Sequence, residues 1–303
     1  MPFLELSLTL RATEQERVEL ALEETGALAV TLLDADADTP NELAILEPGV
    51  GEMPLWGEIA LSALFDADAD RAGLLHVLAE LLPEIEPAQV RFRVVEDQDW
   101  TRAWMDQFKP MRFGRRLWIY PSTIEPGADD ADAADMCVVR LDPGLAFGTG
   151  THPTTALCLE WLDGLDLAGT HVIDYGCGSG VLAIAALKLG AARVDGIDND
   201  PQAILASRDN AERNGVADHL ALYLPEEFVH APADVFVANI LAGPLAALAP
   251  RFAECTGAGA PFALSGILVG QADELLARYA EWFDDLVVAT REDWVRISGR
   301  RRA

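Results

Sequence analysis

A glycine-rich turn lies between two short apolar segments near the middle of the chain. It reads D-Y-G-C-G-S-G over Asp174–Gly180 and follows the apolar run His171–Ile173. Glycines let a backbone approach a ligand closely, where a Cβ would collide. The second segment, Arg193–Ile197, leads to Asp198, which lies 22 residues after Gly176. A carboxylate at that place suits hydrogen bonds to the two hydroxyls of a ribose.

Two kinds of cofactor carry such a ribose, the dinucleotides and S-adenosylmethionine. The dinucleotide fingerprint is G-x-G-x-x-G, and its last glycine packs a helix on a strand. Here Gly176, Gly178 and Gly180 alternate, and Val181 stands where that last glycine would fall. Asp174 would repel a pyrophosphate, but it could hold the amino group of a methionine moiety directly or through water. The pattern favours S-adenosylmethionine over a dinucleotide, and over a turn that binds nothing.

A parallel sheet is needed to position these groups. The alanine- and leucine-rich segment Val181–Leu189 predicts a helix that Gly190 ends as a C-terminal cap. Strand, helix and strand then form one unit whose turn and carboxylate share a carboxyl edge, where open α/β sheets bind ligands. We expect seven strands with an antiparallel last pair: His171–Ile173, Arg193–Ile197, Leu220–Leu224, Asp234–Ile240, Pro261–Ser265, Leu286–Thr290 and Trp294–Ser298. The basic end, Arg300–Arg302, is predicted to be a solvated tail.

A second unusual segment, Leu141–Thr155, reads L-D-P-G-L-A-F-G-T-G-T-H-P-T-T and predicts an ordered loop before a helix over Ala156–Asp163. Thr154 or Thr155 would then stand at the helix N-terminus, where free N–H groups can hold a carboxylate of a ligand. His152 could act as a base, as a ligand or as an anchor of the loop. Asn239 ends a buried strand and should place its carboxamide at the edge that carries the glycine turn.

The first third of the chain predicts a separate domain with the order β-α-β-β-α-β, which is typical of a ferredoxin-like module. Residues 1–97 hold five arginines against 21 acidic residues, a balance of −16, and lack the aromatic motif of RNA readers. Protein docking is therefore favoured over RNA binding. The predicted strands are Phe3–Thr9, Leu28–Leu33, Trp56–Phe65 and Val90–Val95. The first predicted helix begins at Thr13, which forms a capping box with Glu16, and ends at Gly26. The second predicted helix covers Asp68–Leu82.

A linker helix is predicted over residues 98–108, with Trp100, Trp104 and Phe108 on one face. The remainder, residues 109–303, would form the catalytic domain. It begins with strands at Phe113–Tyr120 and Met136–Leu141.

Composition narrows the function further. The 303 residues carry 22 basic and 50 acidic side chains, a net charge of −28, which argues against direct nucleic-acid binding and favours a basic partner or a salt-rich cytoplasm.

Four scattered cysteines without a C-x-x-C pair indicate reduced thiols and no metal site. No leader or membrane span is visible. We expect a cytoplasmic monomer.

Four motifs together resemble the PrmA family of bacterial enzymes that methylate the eleventh large-subunit ribosomal protein. They are the loop Leu141–Thr155, V-I-D-Y-G-C-G-S-G at Val172–Gly180, G-I-D-N-D-P at Gly196–Pro201, and N-I-L-A-G-P-L at Asn239–Leu245. Tyr175 departs mildly from the expected phenylalanine.

The resemblance implies a class I S-adenosylmethionine-dependent methyltransferase, with a Rossmann-like seven-stranded sheet and an N-terminal ferredoxin-like α+β domain that grips the basic ribosomal protein. It further implies trimethylation of lysine ε-amines and of the N-terminal α-amine. Carried onto this chain, the cofactor contacts are Thr155, Gly176, Asp198 and Asn239. Asn239 and His152 are our candidate catalytic residues, and Asp174, Gly178 and Gly180 complete the candidate cofactor site.

Two other functions stay open from the residues alone. One is a nucleotide-dependent oxidoreductase, which the missing third-spacing glycine disfavours. The other is an inactive assembly factor whose acidic first domain holds a basic ribosomal protein.

Overall fold

The computed structural model describes residues 2–37, 56–83, 85–95, 109–126, 136–142 and 152–303. The chain forms two compact units, Met1–Asp99 and Trp100–Ala303. The predicted linker helix with its three aromatic residues, and the predicted loop from residue 143 to residue 151, lie outside the described residues.

The first unit is a four-stranded antiparallel sheet with two helices. Its elements are β1 (Phe3–Arg11), α1 (Gln15–Glu24), β2 (Ala29–Asp34), β3 (Glu58–Asp66), α2 (Arg71–Leu81) and β4 (Arg91–Val95). The strand order β2-β3-β1-β4 confirms the ferredoxin-like prediction. Alternate residues of β1 are buried, as its sequence pattern predicts: Leu4, Leu6, Leu8 and Leu10.

The predicted capping box at Thr13 is wrong. A short 3-10 turn, Ala12–Glu14, precedes α1, and Glu14 reaches back to accept from the backbone N–H of Arg11 at 3.0 Å. The hydrogen bond from the N-terminal backbone to the glutamate side chain thus forms two residues earlier than the sequence suggests, because a 3-10 turn precedes the α-helix.

The second unit begins with a small three-stranded sheet. The predicted single strand Phe113–Tyr120 is wrong, since it divides into β5 (Met111–Phe113) and β6 (Leu117–Tyr120), which pair antiparallel. Gly114 turns the chain at φ +70°, and the buried carboxylate of Asp163 accepts from the backbone N–H groups of Arg115 and Arg116. The third strand, β7 (Cys137–Arg140), lies parallel to β6.

The main sheet has seven strands in the order β10-β9-β8-β11-β12-β14-β13. The strands from β8 to β12 run parallel, and β14 is antiparallel to both of its neighbours. Its pairing with β13 confirms the predicted antiparallel last pair. The elements are α3 (Pro153–Asp163), β8 (His171–Tyr175), α4 (Val181–Lys188), β9 (Arg193–Ile197), α5 (Pro201–Arg213), β10 (Leu220–Tyr223), β11 (Val235–Asn239), α6 (Ala242–Cys255), β12 (Pro261–Leu268), α7 (Ala272–Tyr279), β13 (Phe283–Arg291) and β14 (Trp294–Arg301).

Two apolar cores cover the faces of this sheet. On one face α3, α4 and the small sheet pack against the strands, and every residue from Val181 to Leu187 is buried. On the other face α6 and α7 pack around Phe236, Phe252 and Tyr279. Successive residues of β8 point to opposite cores, which fixes the direction of each side chain at the carboxyl edge.

Arg300 and Arg301 belong to β14, so the prediction of a tail is wrong for these two residues, whereas Arg300 and Arg302 are exposed as predicted. Arg301 ends β14, and its guanidinium donates to the backbone carbonyls of Ala253 and Trp282, both at 2.9 Å. Arg302 pairs with Asp284.

None of the described helices is both long enough and apolar enough to span a membrane.

Candidate active site

A cavity of about 590 Å³ opens at the carboxyl edge of the main sheet. Four of the residues predicted from sequence line it, namely Gly176, Asp198, Asn239 and His152. The other lining residues are Thr154, Tyr175, Asn199, Pro225, Ile240, Leu241, Pro244, Leu248, Gly266 and Trp294. A few polar side chains therefore lie among mainly apolar walls.

The glycine turn after β8 has a left-handed backbone at all three glycines. Gly176, Gly178 and Gly180 have φ values of +81°, +55° and +79°. The N–H groups of Gly176 and Cys177 both donate to the carbonyl of Ile197, at 2.7 and 3.0 Å, which pins the turn to β9. Gly180 also begins α4, where a Cβ would lie 2.9 Å from the hydroxyl of Ser207. Of the three glycines, Gly178 and Gly180 shape the turn, and only Gly176 lines the cavity.

The carboxylate of Asp198 braces the same turn. Its Oδ2 accepts from the N–H of Gly178 at 2.8 Å, and its Oδ1 accepts from the N–H of Asp200 at 3.0 Å. Asp198 is half-buried and lines the cavity beside the exposed Asn199. A carboxylate oxygen has more than one lone pair, so both oxygens retain the capacity to accept from ribose hydroxyls.

Asp174 lies beneath the turn and is fully buried. Its Oδ2 accepts from the N–H of Ala183 in α4 at 3.0 Å, and its Oδ1 is buried without a hydrogen-bond partner among the residues that the structure describes. Burial raises the pKa of this carboxyl to about 7, the bond from Ala183 opposes the shift, and the nearby Asp198 adds to it. An unpartnered buried acceptor at this place is the group that a cation or a bound water would satisfy.

Asn239 ends β11 at the centre of the edge. Its carboxamide nitrogen donates to the hydroxyl of the fully buried Thr155 at 3.3 Å, across 84 residues of sequence. This bond orients the amide, whose oxygen is a hydrogen-bond acceptor. Thr155 therefore meets the cavity through Asn239, since it does not line the cavity itself.

His152 is the N-cap of α3, which begins three residues earlier than predicted. Its Nδ1 accepts from the N–H of Thr154 at 3.4 Å and lies 2.8 Å from the hydroxyl of the same residue. The ring meets Trp294 edge to face, with the centroids 4.7 Å apart. Burial lowers the pKa of His152, and the nearby Glu292 opposes this shift. While Nδ1 accepts from Thr154, the ring carries its proton on Nε2, so the predicted role as a base would require the other tautomer, in which Nδ1–H donates to the Thr154 hydroxyl.

Several walls of the cavity were missed from sequence. Gly266 interrupts an apolar strand pattern, and an isolated glycine there signals a bulge, so it could have been found. Trp294 begins the last strand and Pro225 follows β10, and neither position carries a local signal. Arg251 of α6 supports this wall: its guanidinium donates to the carbonyl of Pro225 at 3.0 Å and lies 5.9 Å from the ring centroid of Tyr175.

The donor set fits S-adenosylmethionine. A carboxylate for ribose hydroxyls, a turn without side chains and a buried unpartnered carboxylate oxygen lie at one edge, and the adjoining walls are apolar. No cluster of three or more potential metal ligands occurs in the described part of the chain. The sheet order and this site define a class I S-adenosylmethionine-dependent methyltransferase.

The comparisons with known proteins identify the family. The family model described as "Ribosomal protein L11 methyltransferase (PrmA)" matches residues 2–302. Relatives named ribosomal protein L11 methyltransferase include one from Stenotrophomonas maltophilia, 60% identical over 308 residues, and one from Xylella fastidiosa, 55% identical over 306 residues. Each alignment covers 100% of both chains. A solved L11 methylase from Lactobacillus delbrueckii subsp. bulgaricus, 30% identical, superposes with a TM-score of 0.57 over 65% of this chain and 100% of that chain.

The chain therefore belongs to the ribosomal protein L11 methyltransferase (PrmA) family. S-adenosylmethionine is its methyl donor, and it is a protein methyltransferase, as the sequence motifs predicted.

Proposed function

We propose that this enzyme trimethylates lysine ε-amino groups and the N-terminal α-amine of ribosomal protein L11. The observation that carries the proposal is the position of Asn239, whose carboxamide nitrogen is bonded to Thr155 and which lines the same cavity as Gly176 and Asp198. The residues after Asn239 are Ile-Leu-Ala and not the Pro-Pro-Tyr of adenine and glutamine amide methyltransferases. An aliphatic amine suits this site better than the exocyclic amine of a base.

The chain has to select a neutral amine and align it. S-adenosylmethionine supplies an electrophilic methyl group on a sulfonium. A free lysine side chain has a pKa near 10.4, so most substrate amines are protonated when they reach the enzyme. Burial against Leu241, Leu248 and Trp294 disfavours the charged form, and the proton leaves to solvent before the amine is enclosed. Asn239 then holds the amine through its oxygen, and the alignment supplies much of the rate.

The other site residues are proposed to hold the cofactor. Asp198 binds the ribose hydroxyls and Gly176 allows close approach. Asp174 is fully buried and is not among the residues that line the cavity, so it receives the ammonium of the methionine moiety through water. The unpartnered Oδ1 of Asp174 supports the last of these roles.

The ferredoxin-like domain is proposed to dock the substrate. Its balance of −16 over residues 1–97 complements a basic ribosomal protein. On this proposal a shortened chain, residues 98–303, binds S-adenosylmethionine but fails to methylate intact L11. Wild-type efficiency of the shortened enzyme on L11 would remove the docking role.

The direct test uses the pure enzyme, labelled S-adenosylmethionine and unmethylated L11. Peptide mass spectrometry should find three methyl groups on individual lysines and on the N-terminus. Mixtures that replace L11 with other ribosomal proteins are the control. Label on those proteins but not on L11 would contradict the proposed substrate, and products that stop at one methyl would contradict trimethylation.

A further inference from the structure

Three polar side chains lie along one side of α5 and at its C-terminal end. Ser207, Asn210 and Asn214 are three and four residues apart, the spacing of neighbours on one helix face. Ser207 and Asn214 are buried, and Asn210 is half-buried. Serine and asparagine are weaker helix formers than alanine, and buried polar groups need hydrogen-bond partners. The partners of these three side chains therefore indicate their role.

Two of the three side chains hold the glycine turn. The hydroxyl of Ser207 donates to the carbonyl of Gly178 at 2.9 Å, and the carboxamide nitrogen of Asn210 donates to the carbonyl of Ser179 at 2.8 Å. Because a peptide unit is planar, a bonded carbonyl fixes the orientation of the whole unit. Two successive peptide units of the turn are thus held from α5, while the N–H of Gly178 is held from the other side by Asp198.

The turn needs such bonds because glycine is conformationally permissive. Gly176, Gly178 and Gly180 all have positive φ values, and each could adopt many other conformations in a free chain. The approach of α5 also depends on one of these glycines, since a Cβ at Gly180 would lie 2.9 Å from the hydroxyl of Ser207 and 3.2 Å from its Cα. This close packing brings the donors of α5 within reach of the turn.

We propose that Ser207 and Asn210 are positioning residues that fix the glycine turn in its cofactor-binding conformation before S-adenosylmethionine arrives. Neither residue is among those that line the cavity, so both act through the turn. This inference rests on the proposed roles of Gly176 and Asp198 in holding the cofactor. A turn that is already ordered loses less conformational entropy on binding, and the cofactor therefore binds more tightly.

Asn214 provides the matched control. Its carboxamide nitrogen donates to the carbonyl of Arg140 at 2.8 Å, and its carboxamide oxygen accepts from the N–H of the same residue at 2.7 Å. These bonds join the end of α5 to β7, and within the described residues none of the hydrogen bonds of Asn214 reaches the glycine turn. Asn214→Ala therefore removes a buried asparagine from the same helix without removing a contact to the turn.

The test compares Ser207→Ala, Asn210→Ala and Asn214→Ala by calorimetric titration with S-adenosylmethionine. We expect the first two variants to raise Kd by roughly threefold to tenfold, the effect of losing one neutral hydrogen bond. Asn214→Ala should keep the wild-type Kd, although it should lower the melting temperature at least as much, because it loses more hydrogen bonds. A purely structural role of α5 would lower the melting temperature without changing Kd. An unchanged Kd in both turn variants, or an equal rise in Asn214→Ala, would overturn the proposal.

Kinetics on L11 give a further readout. At saturating cofactor, kcat of Ser207→Ala and of Asn210→Ala should stay near that of the wild type, because neither residue bonds to Asn239 or Thr155. The KM for S-adenosylmethionine should rise with Kd. A lowered kcat with an unchanged KM would contradict a role in cofactor binding.

Amide exchange tests the ordering of the turn without any cofactor. In the cofactor-free enzyme, exchange at Gly178 should be faster in Ser207→Ala and Asn210→Ala than in the wild type and in Asn214→Ala. Equal exchange in all four proteins would overturn the proposed ordering. An unchanged Kd in Asp198→Ala would contradict the proposed cofactor site, whereas a raised Kd there with an unchanged Kd in both turn variants would contradict only the role of α5.

Discussion

The backbone N–H of Gly178 donates to Oδ2 of Asp198 at 2.8 Å, so the carboxyl end of β9 is tied directly to the turn after β8. The same carboxylate accepts from Asp200 through Oδ1. Asp198 therefore shapes the turn as well as offering acceptors to a ribose. Its loss should affect the cofactor site in both ways.

Asp198→Ala should weaken S-adenosylmethionine binding. Losing hydrogen bonds to a charged group costs about 1.5–3 kcal/mol, which is roughly a tenfold to hundredfold rise in Kd. Asp198→Asn keeps one acceptor oxygen, so its Kd should lie between those of the wild type and of Asp198→Ala. Calorimetric titration checks both variants, with Asp209→Ala on the exposed face of α5 as the control. An unchanged Kd in Asp198→Ala would exclude this residue from the site.

Thr155→Val should lower kcat without a large change in fold. The substitution removes the hydroxyl that accepts from the Asn239 carboxamide and keeps the buried volume similar. We expect a rate loss of several-fold, since one neutral hydrogen bond contributes about 1 kcal/mol. Asn239→Ala should lose more, because it also removes the acceptor oxygen. Initial rates of L11 methylation measure the effect, and Thr290→Val at an exposed position of β13 is the control. Equal rate losses in Thr155→Val and in Thr290→Val would contradict the prediction.

Arg251→Met should weaken cofactor binding modestly. The guanidinium joins the carbonyl of Pro225 to the ring of Tyr175, and both residues are walls of the cavity. A partly exposed cation–π contact and one hydrogen bond suggest about 1 kcal/mol, or roughly fivefold in Kd. Arg278→Met, exposed on α7, is the matched control. A Kd equal to that of this control would show that Arg251 does not support the wall.

Asp174→Asn should change how stability depends on pH. Burial raises the pKa of Asp174 to about 7, whereas an unfolded aspartate titrates near 3.9. The folded protein holds the proton more tightly, so stability from this group is present below about pH 4 and is lost as the pH rises through 7. The free energy of unfolding of the wild type minus that of the variant should therefore fall between pH 4 and pH 8. Urea denaturation measures it, and a difference that stays flat or rises would contradict the raised pKa.

Added salt should lower kcat/KM for L11 while the Kd for S-adenosylmethionine barely moves. Opposite charges on the first domain and on a basic substrate speed their encounter, and the Debye length shrinks from about 10 Å at 0.1 M to about 3 Å at 1 M. A series of KCl concentrations over that range measures both constants. A kcat/KM that climbs with salt would instead indicate an acidic surface suited to a salt-rich cytoplasm.

The sequence predicted the residues of the cavity edge that a local pattern or a strand end marks. The glycines of Asp174–Gly180 report a backbone conformation, and Asp198 and Asn239 end strands, so their common edge follows from the parallel sheet. The walls formed by Trp294 and Pro225 depend on packing between elements far apart, which no local pattern contains.

Local signals also failed where a buried side chain decides the structure. The strand predicted over Phe113–Tyr120 becomes a hairpin because Gly114 turns against Asp163, 49 residues away. The arginines at the end of the chain look like a polar tail, yet Arg301 satisfies carbonyls of α6 and of the segment before β13. Both outcomes follow from the need to pair buried polar groups.

The two hydrogen bonds that the Asp163 carboxylate accepts also determine where a shortened catalytic fragment has to begin. Asp163 is only 3% exposed, and its carboxylate is paired with the backbone of Arg115 and Arg116. A fragment cut after the β5–β6 hairpin would leave that charge buried without its donors, at the last turn of the helix that carries Thr155. Amide exchange at Arg115 and Arg116 should accordingly be slow and should rise together with exchange in α3. The hairpin is thus a structural part of the cofactor-binding unit and not a dispensable extension of the linker.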